Sequence, residues 1–258
     1  MIEEHFASSE KHYRAYGLTD TGLSRSHNED SFSVDVEQGL FIVADGMGGH
    51  QGGEVASRMV AEQLSASIPE LLSHHPQPAS REQIAKALSQ SIQIVNKNVM
   101  LAGQELDLQG MGSTVVMALV HGSFVFVGHI GDSRAYLVRA QQIRRLTKDH
   151  SLVAELVRTG QISEEQARVH PYRNIVTKAI GTTGEVHSEL AYYASLPGDI
   201  LILCTDGLNN MIPDESILEV ALEVQDPESI ALELVHRALA AGGKDNVTVV
   251  VVRWEDEE

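Results

Sequence analysis

Leu40-Phe41-Ile42-Val43-Ala44-Asp45-Gly46-Met47-Gly48-Gly49-His50 carries an unbroken apolar run straight into an acid and a glycine-rich turn. The run is short, contains β-branched residues and ends at a turn signal, so it reads as a strand. Its apolar character is continuous rather than alternating, which predicts a strand covered on both faces. The same reading extends outward to residues 114–120, 124–127, 135–138, 200–204 and 247–252, each bounded by Gly, Asp or Asn. Other segments have helical periodicity. Residues 54–72 place Val55, Met59, Leu64 and Ile68 near one face, and residues 81–101 do so with Ile84, Leu88, Ile92, Val95 and Val99. Residues 227–241 start at Pro227 and stop before Gly242-Gly243. Residues 149–170 read as two short helices split by Gly160, the second capped by Ser163. Grouped strands and grouped helices predict an α+β fold with sheets in the middle and helices outside.

At 258 residues without a linker, repeat or low-complexity tract, the chain is expected to form one domain, 1–258. Residues 74–78, with two prolines, read as a helix–helix connection. Nineteen Lys and Arg against 36 Asp and Glu leave a formal net charge of −17, which argues against a nucleic-acid partner bound through a basic surface. One cysteine, Cys204, permits no intrachain disulfide and fits a reducing compartment. Residues 1–14 lack the apolar core of a signal peptide, and no run approaches membrane-spanning length. The expectation is a soluble cytoplasmic protein with no membrane partner.

Three aspartates share one context, where an apolar strand meets a turn: Asp45, Asp206 in Cys204-Thr205-Asp206-Gly207, and Asp245 in Gly243-Lys244-Asp245-Asn246. Asp132, in Gly131-Asp132-Ser133-Arg134, has the same look. Carboxylates at sheet ends can converge, and converging carboxylates repel unless cations neutralise them. An all-oxygen set suits Mg²⁺ or Mn²⁺. The glycines after Asp45 let a backbone carbonyl join the ligands. Asp-Gly steps also serve as plain turns, so these four steps alone leave turn chemistry and a metal site both open. Arg25, followed by Glu29 and Asp30, reads either as a surface ion pair or as a fork for phosphate. Cys204 is no cysteine-phosphatase nucleophile, because Asn210 stands where that chemistry needs an arginine.

Taken together, Arg25-x-x-x-Glu29-Asp30, Asp45-Gly46-Met47-Gly48-Gly49-His50, Gly112-Ser113-Thr114, Gly131-Asp132-Ser133-Arg134, Asp206-Gly207 and Gly243-Lys244-Asp245-Asn246 resemble the PPM family. These are the type 2C metal-dependent serine/threonine protein phosphatases, here in their compact bacterial form, and the resemblance spans about 17–253. It implies a central β-sandwich of two mainly antiparallel sheets flanked by α-helices on both faces, and a flap at about 150–191. It further implies two core Mn²⁺ or Mg²⁺ ions held by Asp45, the Gly46 carbonyl, Asp206 and Asp245, and a weaker third ion on Asp132 with Asp206. Arg25 would bind the substrate phosphate, and Glu29 and Asp30 would act through water. His50 and Asn246 would act behind the ligands. Met47 stands where some members have a histidine proposed as general acid, so the leaving-group acid is unassigned.

The expected reaction is hydrolysis of phosphoserine and phosphothreonine in proteins, by in-line attack of hydroxide held between two metals. The expected partners are those phosphoproteins and a cognate serine/threonine kinase. The alternatives are a non-catalytic phosphoprotein-binding protein on the same fold and a small-molecule phosphate monoesterase.

Overall fold

The computed structural model describes residues 2–6, 12–75, 78–182 and 184–255; the side chains of residues 2–6 and of His50 lie outside that description. Two antiparallel sheets face each other. The first has the order β1 (Ile2–Phe6), β2 (Tyr13–Asp20), β12 (Val247–Trp254), β11 (Ile200–Cys204), β8 (Arg134–Arg139) and β9 (Gln142–Arg145). The second runs β10 (Glu189–Ala194), β7 (Phe124–Ile130), β6 (Val115–His121), β4 (Leu40–Met47) and β3 (Asp30–Asp35), with β5 (Gly112–Ser113) paired to β4. Helices α1 (His50–Ser73) and α2 (Arg81–Glu105) pack on the second sheet. On the first lie α5 (Asp206–Asn209), α6 (Asp214–Glu223) and α7 (Pro227–Ala240). The short α3 (Leu152–Arg158) and α4 (Glu164–Arg168) occupy the insertion between β9 and β10. The expected helix–sheet–sheet–helix layering is the layering observed.

The layering explains the unbroken apolar runs. In β4, Leu40, Ile42 and Ala44 pack with α1 and α2, while Phe41 and Val43 pack between the sheets. In β12, Val247, Val249 and Val251 face the α6–α7 side, and Val250, Val252 and Trp254 face the other sheet. Side chains alternate across a strand, so two buried faces favour apolar residues throughout, with buried polar ones such as Thr248 near the strand end where they find partners. Strands β3 and β10 escaped the sequence reading because they are the two edges of their sheet. There, partial exposure tolerates the serines of Asp-Ser-Phe-Ser-Val-Asp and the glutamate of β10.

Helix ends follow the local chemistry. Gly48 and Gly49, at φ of 128° and 75°, turn the chain so that α1 begins at His50, ahead of its apolar periodicity. Ser80 and Ser163 each form a capping box at the starts of α2 and α4. The split at Gly160, the Ser163 cap and the Pro227 start all stand as expected. The insertion is already strand by Glu189–Ala191, which pair with β7. No helix among the described residues is long and apolar enough to cross a membrane.

The inward-facing columns position the site. Phe41 and Val43 are continued on the same face by Asp45, and Val34 and Phe32 by Asp30. Val252 and Val250 lead to Thr248, and Leu201 and Leu203 lead to Thr205. Register sets Asp30 opposite Asp45 and Thr19 opposite Thr248. At this one edge of the sandwich the apolar core between the sheets gives way to acids and hydroxyls.

Candidate active site

Asp30 bridges the two sheets. Its Oδ2 accepts from Thr205 Oγ1 at 2.9 Å and from Thr248 Oγ1 at 2.6 Å. Thr248 Oγ1 lies 2.7 Å from Thr19 Oγ1, which accepts from Asn28 Nδ2 at 2.8 Å. Because Thr248 donates to the carboxylate, Thr19 must donate to Thr248, so donation runs from Asn28 through Thr19 and Thr248 to the accepting Asp30. Asp45, on the opposing strand, is fixed through its backbone. Its N–H donates to Thr114 Oγ1 at 3.1 Å and its carbonyl accepts from the Thr114 N–H at 2.8 Å.

Around this pair the chain gathers Asp132, Asp206 and Asp245. Burial pushes the Asp30 carboxyl up to about 7; Asp206 and Asp245 add to the rise, and the two threonine hydroxyls oppose it. Burial holds Asp45 well above the ordinary carboxylate range, and Asp30, Asp206, Asp132 and Asp245 all push it further. Burial also raises Asp132 well above that range, with Asp206 and Asp149 contributing. Asp206 rises to about 6 through burial and then Asp245, while Arg134 and Arg25 pull it down. Asp30, Asp45, Asp132 and Asp206 each feel at least one other aspartate of the cluster as a like charge.

Close backbone contacts draw the loops together. A Cβ on Gly207 would lie 1.9 Å from the Asn246 carbonyl oxygen, so only glycine lets the turn after Asp206 settle on the turn after Asp245. Gly22 likewise presses on the Asp245 carbonyl, and the Leu23 N–H donates to the Gly243 carbonyl at 2.8 Å. This contact delivers Arg25, whose Nη2 donates to Asp245 Oδ2 at 2.8 Å. Asn246 staples the same loop: Nδ2 donates to the carbonyls of Thr21 and His27, and Oδ1 accepts from the Glu29 N–H at 2.9 Å. The Glu29 carbonyl in turn accepts from the Gly46 N–H at 3.0 Å, and its carboxylate rests against Gly53 in the first turn of α1.

The structure therefore brings together Arg25, Glu29, Asp30, Asp45, Gly46, Asp132, Asp206, Asp245 and Asn246. His50 opens α1, but its side chain lies outside the described residues. Of the two readings of Arg25, its half-exposed pair with Asp245 realises the ion pair, and the same contact keeps the guanidinium beside the acids. The acids fit divalent cations. Buried and half-buried carboxyls raise one another, the set is all oxygen, and Arg25 is the one cation hydrogen-bonded to it among the described residues. The nearby Arg134 is committed to Asp149, at 3.0 and 2.7 Å, and to Tyr136.

The sequence reading missed the hydroxyls of Thr19, Thr205 and Thr248. It also missed the cluster of His129, His150 and Glu189, whose ligand-capable atoms lie within 4.8 Å of one another. A signal existed for His129, the ring interrupting an apolar strand in Phe126-Val127-Gly128-His129-Ile130.

The chain is similar to known proteins over nearly its whole length. The model of the protein phosphatase 2C family matches residues 23–236. The chain is 42% identical over 238 residues to the serine/threonine phosphatase stp of Listeria innocua, covering 91% of this chain and 93% of that protein. The serine/threonine phosphatase Stp1 from Staphylococcus aureus is similar at a TM-score of 0.86 and 35% identity, over 98% of this chain and 100% of that one. The catalytic domain of the serine threonine protein phosphatase PstP, solved with two manganese ions, is similar at a TM-score of 0.79 and 36% identity, over 95% and 99%.

Proposed function

The chain belongs to the protein phosphatase 2C family and is a metal-dependent serine/threonine phosphatase; on that premise we propose which of its residues carry the reaction. Asp45, the Gly46 carbonyl, Asp206 and Asp245 would hold two divalent cations, and Asp132 with Asp206 would hold a weaker third. The observation that carries this reading is the convergence of five aspartates, Asp30 and Asp132 buried and Asp45, Asp206 and Asp245 half-buried, on one end of the sandwich, where their like charges raise the pKa of Asp30, Asp45, Asp132 and Asp206. When bound, such cations neutralise the acids, lower the pKa of water and offset charge on the phosphoryl group.

The protein's own side chains do the rest. Asp245 is among the residues that would hold a cation, and the half-exposed Arg25 guanidinium beside it is placed to grip two oxygens of the substrate phosphate. Asp30 takes both threonine hydroxyls on Oδ2, which leaves Oδ1 to orient a water, and Glu29, just ahead of β3 with its carboxylate against Gly53 of α1, does the same. Asn246 holds the loop carrying Arg25 and Glu29 in register with Asp245. Asp132 stands on a thin ligand set with Arg134 close by, which keeps the third site weak.

The whole chain acts as one phosphatase domain, and the insertion beginning at His150 selects substrates. Its Val169 and Tyr172 are exposed apolar side chains able to meet a phosphoprotein. A cognate serine/threonine kinase supplies those substrates, because phosphoserine and phosphothreonine arise by phosphoryl transfer to hydroxyls. An acidic chain with a single buried cysteine suits the reducing cytoplasm, where Mn²⁺ or Mg²⁺ serves as the cation. The test is hydrolysis of a phosphothreonine peptide with Mn²⁺, after chelation and after readdition. Activity should vanish with the chelator and return with the metal; activity that survives chelation contradicts the reading.

A further inference from the structure

Asp132 is clasped from both sides by consecutive residues at the start of the insertion. On one side, Arg134 forms its bidentate ion pair with Asp149. On the other, Gly131 exchanges two bonds with His150: its N–H donates to His150 Nδ1 at 3.1 Å, and its carbonyl accepts from the His150 N–H at 2.9 Å. Gly131 sits at φ 105°, and a Cβ there would strike Thr114, so the backbone entering Asp132 is held in a conformation that needs support.

The accepting role of Nδ1 fixes the tautomer. The proton must sit on Nε2, which faces Glu189 Oε1 at 3.4 Å at the far end of the insertion. Burial lowers the His150 pKa, with His129 and Lys178 adding to the effect, which keeps the ring neutral. His129 stacks on it at 4.8 Å and 8°, with Nε2 2.7 Å from the Lys148 carbonyl. These bonds also argue against a cation among His129, His150 and Glu189. A metal on His150 Nε2 would drive the proton to Nδ1 and expel the Gly131 N–H.

We propose that His150 is a positioning residue for the phosphatase reaction, which through Gly131 fixes where Asp132 presents its carboxylate and so couples both ends of the insertion to the weaker cation site. The proposal rests on Asp132 as the private ligand of that third cation. The asparagine Oδ1 can occupy the place of Nδ1, whereas glutamine carries its oxygen one bond further out.

The test is calorimetric titration of Mn²⁺ into the full chain and its His150→Asn, His150→Gln and Asp132→Asn variants, together with melting curves and the Mn²⁺ dependence of kcat. His150→Gln should weaken the weakest Mn²⁺ event roughly tenfold, the value of about one hydrogen bond, leave the tight pair unchanged and lower the metal-free melting temperature by only about 2–4 °C, the scale of that same bond. His150→Asn should restore it to within about twofold. Asp132→Asn should remove that event. If Asp132→Asn removes the event but His150→Gln does not weaken it, the role of His150 is overturned. If Asp132→Asn keeps the event, the Asp132 reading fails and the proposal fails with it. If asparagine does not rescue, or if both His150 variants lose the tight pair or melt earlier by more than that, His150 is merely structural and the proposal is overturned.

Discussion

Asp30 and Asp45 lie directly opposite each other across the β3–β4 pair, both on the face turned toward the other sheet. A buried acid and a half-buried one in adjacent strands with mutually unfavourable charges are tolerable in two ways: with protons on them, or with cations between them and their neighbours.

This arrangement sets the pH dependence. Asp30 moves from 3.8 to about 7 on folding, so between those values the folded chain binds more protons than the unfolded one. The contribution of such a group is present below pH 3.8 and is lost as pH rises through about 7. Asp206, raised to about 6, acts in the same direction. His129 and His150, lowered on folding, act oppositely and cost stability as pH falls below about 6.5. Saturating Mn²⁺ separates the two effects, since it relieves only the acids. The gain in melting temperature on adding Mn²⁺ should be larger at pH 8 than at pH 5. An equal or smaller gain at pH 8 would remove the cation role of these acids.

Arg25→Ala deletes the one cation hydrogen-bonded to the cluster among the described residues. Loss of a charge-assisted grip on phosphate costs about 1.5–3 kcal/mol, roughly ten- to a hundredfold in kcat/KM, carried mainly by KM. Steady-state kinetics on a phosphothreonine peptide measure it. Unchanged KM and kcat would make Arg25 only the partner of Asp245.

Asn246→Ala removes three side-chain bonds to the loop that carries Arg25 and Glu29. The backbone groups left without partners cost about 1–3 kcal/mol in denaturant unfolding. The KM for phosphopeptide should rise along with that loss, because Arg25 loses its support. A stable variant with normal KM would show that the staple is dispensable.

Asp132→Ala should leave the two tight Mn²⁺ ions bound and lower kcat roughly a hundredfold, the scale of losing one preorganised electrostatic partner. Binding by calorimetry and turnover at saturating Mn²⁺ check both halves. Loss of the tight pair, or full turnover, would contradict a separate weaker site.

Much of this was legible in the sequence because Asp45 and Asp206 end apolar runs at glycine turns and Asp245 begins one. Those runs also announced two covered sheet faces. The contributions of Thr19, Thr205 and Thr248 were not legible. A threonine in a strand matters here only because register places it where an inward column meets Asp30. The Gly131–His150 clasp joins residues from the β7 turn and the start of the insertion, and the Arg25–Asp245 pair joins opposite ends of the chain. Local periodicity carries no trace of either. The edge strands β3 and β10 were missed for the complementary reason, since exposure lets their sequences look like loop.

The most direct test of the account is Mn²⁺ binding to Asp45→Asn, in which the amide keeps the shape of the side chain and loses its charge. The wild-type chain should bind two Mn²⁺ ions tightly and one weakly. The variant should lose the tight pair while its metal-free melting temperature is unchanged or higher, because one repelling, half-buried carboxylate is gone. A variant that still binds two Mn²⁺ ions with wild-type affinity would contradict the claim that Asp45 is the residue around which the cations assemble.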